Sequence, residues 1–145
     1  MRVALVAEPI DPAALLLEVS RPDCGGVALF LGKVRDHSEG RHDVTRLEYE
    51  AYPGLAENVM AEIAAEAEAR FGVRALVAVH RTGTLGVGDI AVAVAAASPH
   101  REQALEGARY TIDEIKVRVP IWKKEVWAGG EEWVRCDHAP ASPSV

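Results

Sequence analysis

Residues 112–125 read IDEIKVRVPIWKKE, which sets four cationic side chains, Lys116, Arg118, Lys123 and Lys124, around a single proline. The chain as a whole is acidic, with formal net charge -6 and a pI near 5.4. Local positive charge on an acidic chain suits one specific anion better than a polyanion surface. Upstream, Leu105, Ala108, Ile112 and Ile115 recur at helical spacing, and Lys116 follows Ile112 by four, continuing the edge of that apolar stripe. An ammonium against an apolar wall is partly desolvated, which lowers its pKa and makes the free amine available. The competing role is structural: Lys116 snorkels from a helix end whose dipole welcomes a cation. Spacing alone favours the structural role. Pro120 lets Lys123 fold back towards Lys116. Fully extended, that stretch would span ~25 Å, so a shared site requires a turn. Two ammoniums in one pocket repel and lower each other's pKa, which suits acid, base or nucleophilic work near neutrality. Trp122, between them, reads as core or interface rather than a stacking platform.

Other candidates lie elsewhere in the chain. Ser98 and Pro99 read as the cap and first position of the helix that ends near Lys116. His100 and Arg101 then fall in a first turn that already favours anions. They either complete a phosphate or carboxylate site or form a solvated helix start. Arg35 sits in a glycine-bounded polar loop at residues 32–43, as a guanidinium for bidentate anion binding or as a plain loop charge. The same loop holds His37 and His42 with Asp36, Glu39 and Asp43, but their spacing fits no established zinc pattern and no metal is expected. Gly32-Lys33 is not a phosphate loop, because Val27 replaces the first glycine and Val34 the hydroxyl residue. Cys24 and Cys136 form no C-x-x-C pair and carry no nucleophile signature, so both read as incidental thiols.

The elements that must position these groups follow from periodicity. A strand at residues 2–7 precedes a helix capped by Asp11, with Pro12 first and Leu15, Leu16 and Val19 inward. Residues 27–31, VALFL, read as a strand buried on both faces. Residues 44–52 alternate, with Leu47, Tyr49 and Ala51 on the dry side. The longest helix follows Pro53-Gly54, on a stripe of Leu55, Val59, Ile63 and Ala67, and ends at Gly72. Strands at 74–80 and 90–97 flank RTGTLGVGD, which reads as a turn or bulged connection. A hairpin closes around Gly129-Gly130, after which residues 137–145 fray. With 145 residues, 49% of them hydrophobic, the chain is one domain over residues 1–136, either α+β or mixed α/β. No apolar run reaches the ~18 residues of a membrane span. The N-terminus is unlike a secretory signal, and the low pI argues against nucleic acid and anionic membranes. The simplest location is the cytoplasm.

Five segments, GKVRDHSEG, LEYEAYPGLAE, HRTGTLGVGD, SPHREQAL and IDEIKVRVPIWKKE, occur in this order. Together they resemble the large, catalytic subunit of molybdopterin synthase over roughly residues 3–136. The resemblance implies an α+β single domain, an α/β hammerhead with an added antiparallel β subdomain. It implies a cytoplasmic sulfurtransferase of molybdenum-cofactor biosynthesis that needs no cofactor of its own. Such an enzyme converts cyclic pyranopterin monophosphate, or precursor Z, into molybdopterin. The two sulfurs come from the C-terminal thiocarboxylate of a small ubiquitin-like sulfur-carrier subunit. The large subunit forms a homodimer with a small subunit docked at each far end, a heterotetramer. By the same resemblance Lys116 and Lys123 are catalytic, and Arg35, His100 and Arg101 join them in binding the pterin phosphate. This shifts Lys116 from the snorkelling role to the catalytic one. Two rivals stand beside it: a persulfide carrier using Cys24 or Cys136, and a non-catalytic module that only holds an anionic metabolite.

Overall fold

The computed structural model describes residues 1–37, 43–127 and 129–135. Within them the chain forms β1 (Arg2–Val6), α1 (Pro12–Val19), β2 (Gly26–Lys33), β3 (Val44–Ala51), α2 (Leu55–Phe71), β4 (Ala75–Arg81), β5 (Gly83–Gly86), β6 (Ile90–Ser98), α3 (Arg101–Arg118), β7 (Ile121–Trp127) and β8 (Gly130–Arg135). One sheet has the order β1-β4-β6-β2 and the other β5-β3-β7-β8. The first is mixed, with β1 parallel to β4 and the remaining pairs antiparallel. The second is antiparallel throughout. The architecture is α+β in a single domain, as the sequence implied.

β6, reading IAVAVAAAS, is buried from Ala91 to Ser98, because small side chains let helices approach both faces of its sheet. On one face α1 sets Leu15 and Val19 against Val77, Val79, Ala93 and Ala95. On the other, α2 and α3 bring Met60, Ile63, Ala108, Ile112 and Ile115 against Leu76, Val92 and Val94. That second core also takes in Val44, Leu47, Tyr49 and Leu85, so the second sheet is fused to the first through the α2–α3 side.

Local chemistry sets the helix ends. The Asp11 carboxylate accepts from the Ala13 N–H at 3.1 Å, and Gly72 closes α2 in the left-handed region at φ 72°. Pro120 cannot continue α3, so Val119 is extended and the chain passes directly into β7.

Several expectations are corrected. Ser98 is the last residue of β6, paired with Gly26, so the cap of α3 falls to His100 and Pro99 lies outside the helix. Gly26 permits this close approach, since a Cβ there would lie 2.8 Å from the Arg101 nitrogen. Leu16 and Leu105 are exposed on the flanks of their helices. The buried stripe of α2 runs through Ala56, Met60, Ile63 and Ala67, leaving Leu55 in solvent, and α3, with 18 residues against 17, is the longer helix. β2 is an edge strand with Val27 and Phe30 exposed, not a strand buried on both faces. Residues 81–89 contain a true strand, β5, which pairs Leu85 with Leu47. Residues 38–42, Cys136 and the tail 137–145 lie outside the described residues, including His42 and Glu39 of the loop cluster. Among the described residues no helix is long and apolar enough to cross a membrane.

Candidate active site

Lys116, in the last turn of α3, and Lys123, the third residue of β7, line one cavity of about 120 Å³. Arg35 lines it too, together with Lys33, His37, Tyr49 and Glu125. The break at Pro120 supplies the turn that a shared site needs. On β7, strand alternation turns Lys123 and Glu125 towards the cavity and Trp122 and Lys124 to the other face. Trp122 is 40% exposed and so is not a core residue. The Lys123 side chain is only 12% exposed, and its Nζ lies 3.6 Å from Glu125 Oε2. A buried carboxylate beside a half-buried ammonium keeps both charges tolerable in a confined space.

Arg35 is held by its neighbours. The Val34 N–H donates to the Asp89 carbonyl at 2.9 Å, and the Val34 carbonyl accepts from the Gly88 N–H at 2.8 Å. The Asp36 carbonyl accepts from the Val44 N–H at 3.0 Å, closing the loop on β3. The Asp89 carboxylate accepts from the Gly86 N–H at 2.9 Å. The GKVRD and GVGD segments are thus bound to each other, and the glycine-rich turn serves as an anchor for the arginine loop. His37 Nδ1 lies 2.9 Å from Asp36 Oδ1, and this hydrogen bond holds the Asp36 carboxyl below its ordinary range.

Three of the five sequence segments, those holding Arg35, Tyr49 and the Lys116–Lys123 pair, supply residues that line the cavity, and comparison with known proteins identifies the pattern. The family described as MoaE protein matches residues 5–118. The chain is 47% identical to molybdopterin synthase catalytic subunit 1 of Mycobacterium tuberculosis over 131 residues, 90% of this chain and 88% of the relative. It is 40% identical to the catalytic subunit of Bacillus subtilis over 133 residues, 92% and 84% of the two chains. The crystal structure of molybdopterin synthase from Staphylococcus aureus superposes with a TM-score of 0.84 at 39% identity, covering 90% of this chain and 94% of that one. The chain belongs to the MoaE family. Its curated relatives are molybdopterin synthase catalytic subunits, enzymes of molybdenum-cofactor biosynthesis.

The other two cations of residues 112–125 are engaged elsewhere. Arg118 donates to both oxygens of Glu66, at 2.6 and 3.0 Å, and to Glu114 at 3.1 Å. With the Tyr110 hydroxyl donating to the same Glu66 at 2.6 Å, these bonds hold the Glu66 carboxyl down at about 2. Lys124 pairs with Glu131 at 3.1 Å and Glu48 at 3.4 Å and stands 5.3 Å over the Trp133 ring. Its ammonium is pushed up, first by the Glu131 hydrogen bond.

His100 and Arg101 are exposed at the far end of α3 and do not line this cavity. At 1.5 Å per residue they stand ~22 Å along the helix axis from Lys116. Cys24 is half-buried and also outside the cavity; burial, then the hydrogen bond from its Sγ to Asp23, pushes its thiol up, away from the reactive thiolate. Among the described residues no group of three His, Cys, Asp or Glu side chains could hold a metal ion.

Reasoning from sequence did not single out Tyr49, Glu125 or His80, and it weighed Lys33 only to reject a phosphate loop. Alternation placed Tyr49 on the dry face of its strand, which is the cavity face, but nothing local reports that Lys123 lies opposite it. His80 sits behind Tyr49, with ring centroids 5.1 Å apart, and its Nδ1 is 2.8 Å from the Arg81 carbonyl. Burial, the Lys116 charge adding to it, pushes the His80 imidazole down to about 4.

Proposed function

We propose that this cavity carries out the family's sulfur transfer in this chain, converting cyclic pyranopterin monophosphate into molybdopterin. The observation that carries the reading is the convergence of Lys116 from α3 and Lys123 from β7 on one cavity with Arg35. The sulfur source is the C-terminal thiocarboxylate of a small ubiquitin-like carrier, whose slender tail reaches the two lysines. The cations hold the thiocarboxylate and the substrate phosphate close together, where water is scarce and charge is strongly felt. The thiocarboxylate sulfur attacks a side-chain carbon of the pterin, so that a C–S bond forms while a C–O bond at the same carbon breaks. The departing oxygen keeps the electron pair and takes a proton from a lysine ammonium. Water then cleaves the bond between that sulfur and the carrier acyl carbon. The sulfur stays on the pterin and the carrier leaves as a carboxylate. A lysine amine moves the protons that these steps release and require.

His100 and Arg101 belong to the phosphate-binding set in this reading. In the same reading a second copy of the chain, in a homodimer, supplies them to each cavity, which their distance from Lys116 along α3 supports. With a carrier at each far end the assembly is a heterotetramer working in the cytoplasm, and residues 1–136 form its catalytic unit.

The deciding experiment mixes the chain with thiocarboxylated carrier and precursor Z and looks for molybdopterin. Formation of molybdopterin is the expected result; binding of the pterin without turnover would reduce the chain to an anion-holding module. Cys24→Ser is expected to retain full turnover, and a folded but inactive variant would route sulfur through this chain instead.

A further inference from the structure

The two lysines are carried by different layers. Lys116 rides on α3, which packs on the first sheet, while Lys123 belongs to β7 of the second. Their relative position therefore depends on what locks the second sheet onto the first beside the cavity. Tyr49 and His80 stand at that point. Tyr49 lies directly across the β3–β7 ladder from Lys123 and lines the cavity. His80, on β4 of the first sheet, meets the Tyr49 ring edge-on, with the planes at 66°. The two residues are 5% and 2% exposed.

His80 is itself fixed. The Arg81 carbonyl can only accept, so Nδ1 carries the proton and the ring orientation is set. The imidazole stays neutral through burial. It therefore adds no further cation beside a cavity already lined by Lys33, Arg35, Lys116 and Lys123. An edge-to-face aromatic contact between neutral rings is directional, so it transmits orientation as well as filling space.

We propose that the Tyr49–His80 pair is a positioning element for the sulfur-transfer reaction. Its contact seats the second sheet on the first and so sets the separation of Lys116 and Lys123. The pair acts through the lysines and not on the substrate itself. This rests on the reading of the cavity as the sulfur-transfer site. Misplacing a catalytic group by an ångström costs on the order of 100-fold in rate.

The test compares wild type with Tyr49→Leu, Tyr49→Phe and His80→Asn in the turnover assay with thiocarboxylated carrier and precursor Z, alongside thermal melts. Tyr49→Leu removes the ring and is expected to lower kcat by ~30-fold with KM changed by less than ~3-fold. Tyr49→Phe keeps the ring and is expected to bring kcat back to within ~3-fold of wild type. His80→Asn keeps a donor for the Arg81 carbonyl but loses the ring, and is expected to behave like Tyr49→Leu. The two ring-removing variants report independently, so a folding failure of one leaves the other to decide. A folded ring-removing variant with wild-type kcat overturns the proposal. So does Tyr49→Phe as slow as Tyr49→Leu, or a rise in KM at unchanged kcat. A wild-type chain that makes no molybdopterin overturns the cavity reading and this proposal together, whereas an active wild type with an active Tyr49→Leu overturns this proposal alone.

Discussion

Lys116 and Lys123 face a cavity, while Arg118 and Lys124, their close neighbours in sequence, are tied into carboxylate clusters on other faces. The side-chain types are nearly the same, and periodicity alone separates their fates. On a helix, residues two apart point ~200° from each other, so Lys116 and Arg118 diverge. On a strand, neighbours alternate, so Lys123 and Lys124 do too. Arg118 holds its position through three short hydrogen bonds to two carboxylates, whereas Lys123 has Glu125 at 3.6 Å. A tightly clamped cation fixes structure; one with a looser partner and space in front of it can meet an incoming anion.

The contrast is broken most severely at Lys116. Lys116→Ala is expected to lower turnover by ~1,000-fold or more, because charge stabilisation and proton transfer are lost together. Only a half-buried aliphatic stem is removed, so unfolding should change by about 1 kcal/mol or less. Turnover assays with parallel melts check this, and near-normal turnover would take Lys116 out of the mechanism.

Reversing the charge at Lys123 comes next. Lys123→Glu sets a second carboxylate beside Glu125 and should weaken the anionic carrier tail by ~10–100-fold, more at low salt, where attraction is least screened. A titration of carrier binding at two ionic strengths measures it. Normal turnover at low salt would move Lys123 away from the tail.

Arg118 sharpens the comparison from the structural side. Arg118→Ala should leave kcat within ~3-fold and lower Tm by ~3 °C, a modest value because the cluster is partly exposed. The Glu66 carboxyl sits at about 2 in the fold against an ordinary 4.5. A carboxyl depressed by folding stabilises above its unfolded pKa and loses that effect as pH falls towards the folded one. The gap in Tm between wild type and Arg118→Ala should therefore be full at neutral pH and close as pH falls from 4.5 to about 2. Melts across that window test it, and a gap that persists at pH 2 would deny the linkage to Glu66.

Lys124→Ala should have the smallest effect, a Tm shift below ~2 °C and turnover within ~2-fold, since its partners are surface carboxylates. A larger loss of activity would blur the division drawn between the two faces of β7.

Much of this could be read from the chain because local rules agreed with the fold. Asp11-Pro12, Gly72 and Pro120 mark helix ends by backbone chemistry that needs no tertiary context. Tertiary pairing overrode the local signal elsewhere. Ser98 looks like a helix cap, yet its pairing with Gly26 extends β6 and moves the helix start to His100. The glycines at residues 83–88 look like a turn, yet β3 takes up Gly83–Gly86 as an edge partner. Val27 and Phe30 look buried by type, but an edge strand leaves them in solvent. The candidate site divides the same way. Spacing put Lys116 at the edge of an apolar stripe and Pro120 marked the break before Lys123, but the family resemblance rather than spacing gave them a role. Tyr49 and His80 depend on strand register, which is non-local.

The pairing of Tyr49 with Lys123 joins positions 74 apart in the chain. α3 forms through hydrogen bonds between near neighbours, so Lys116 can occupy its helix early. Lys123 reaches its place only when β7 closes a long loop onto β3, a step whose entropic cost delays it. A partly folded chain with its helices formed but its second sheet open would present one lysine and no cavity. Chemical competence therefore requires this long-range pairing, which makes catalysis itself a reporter of a closed second sheet.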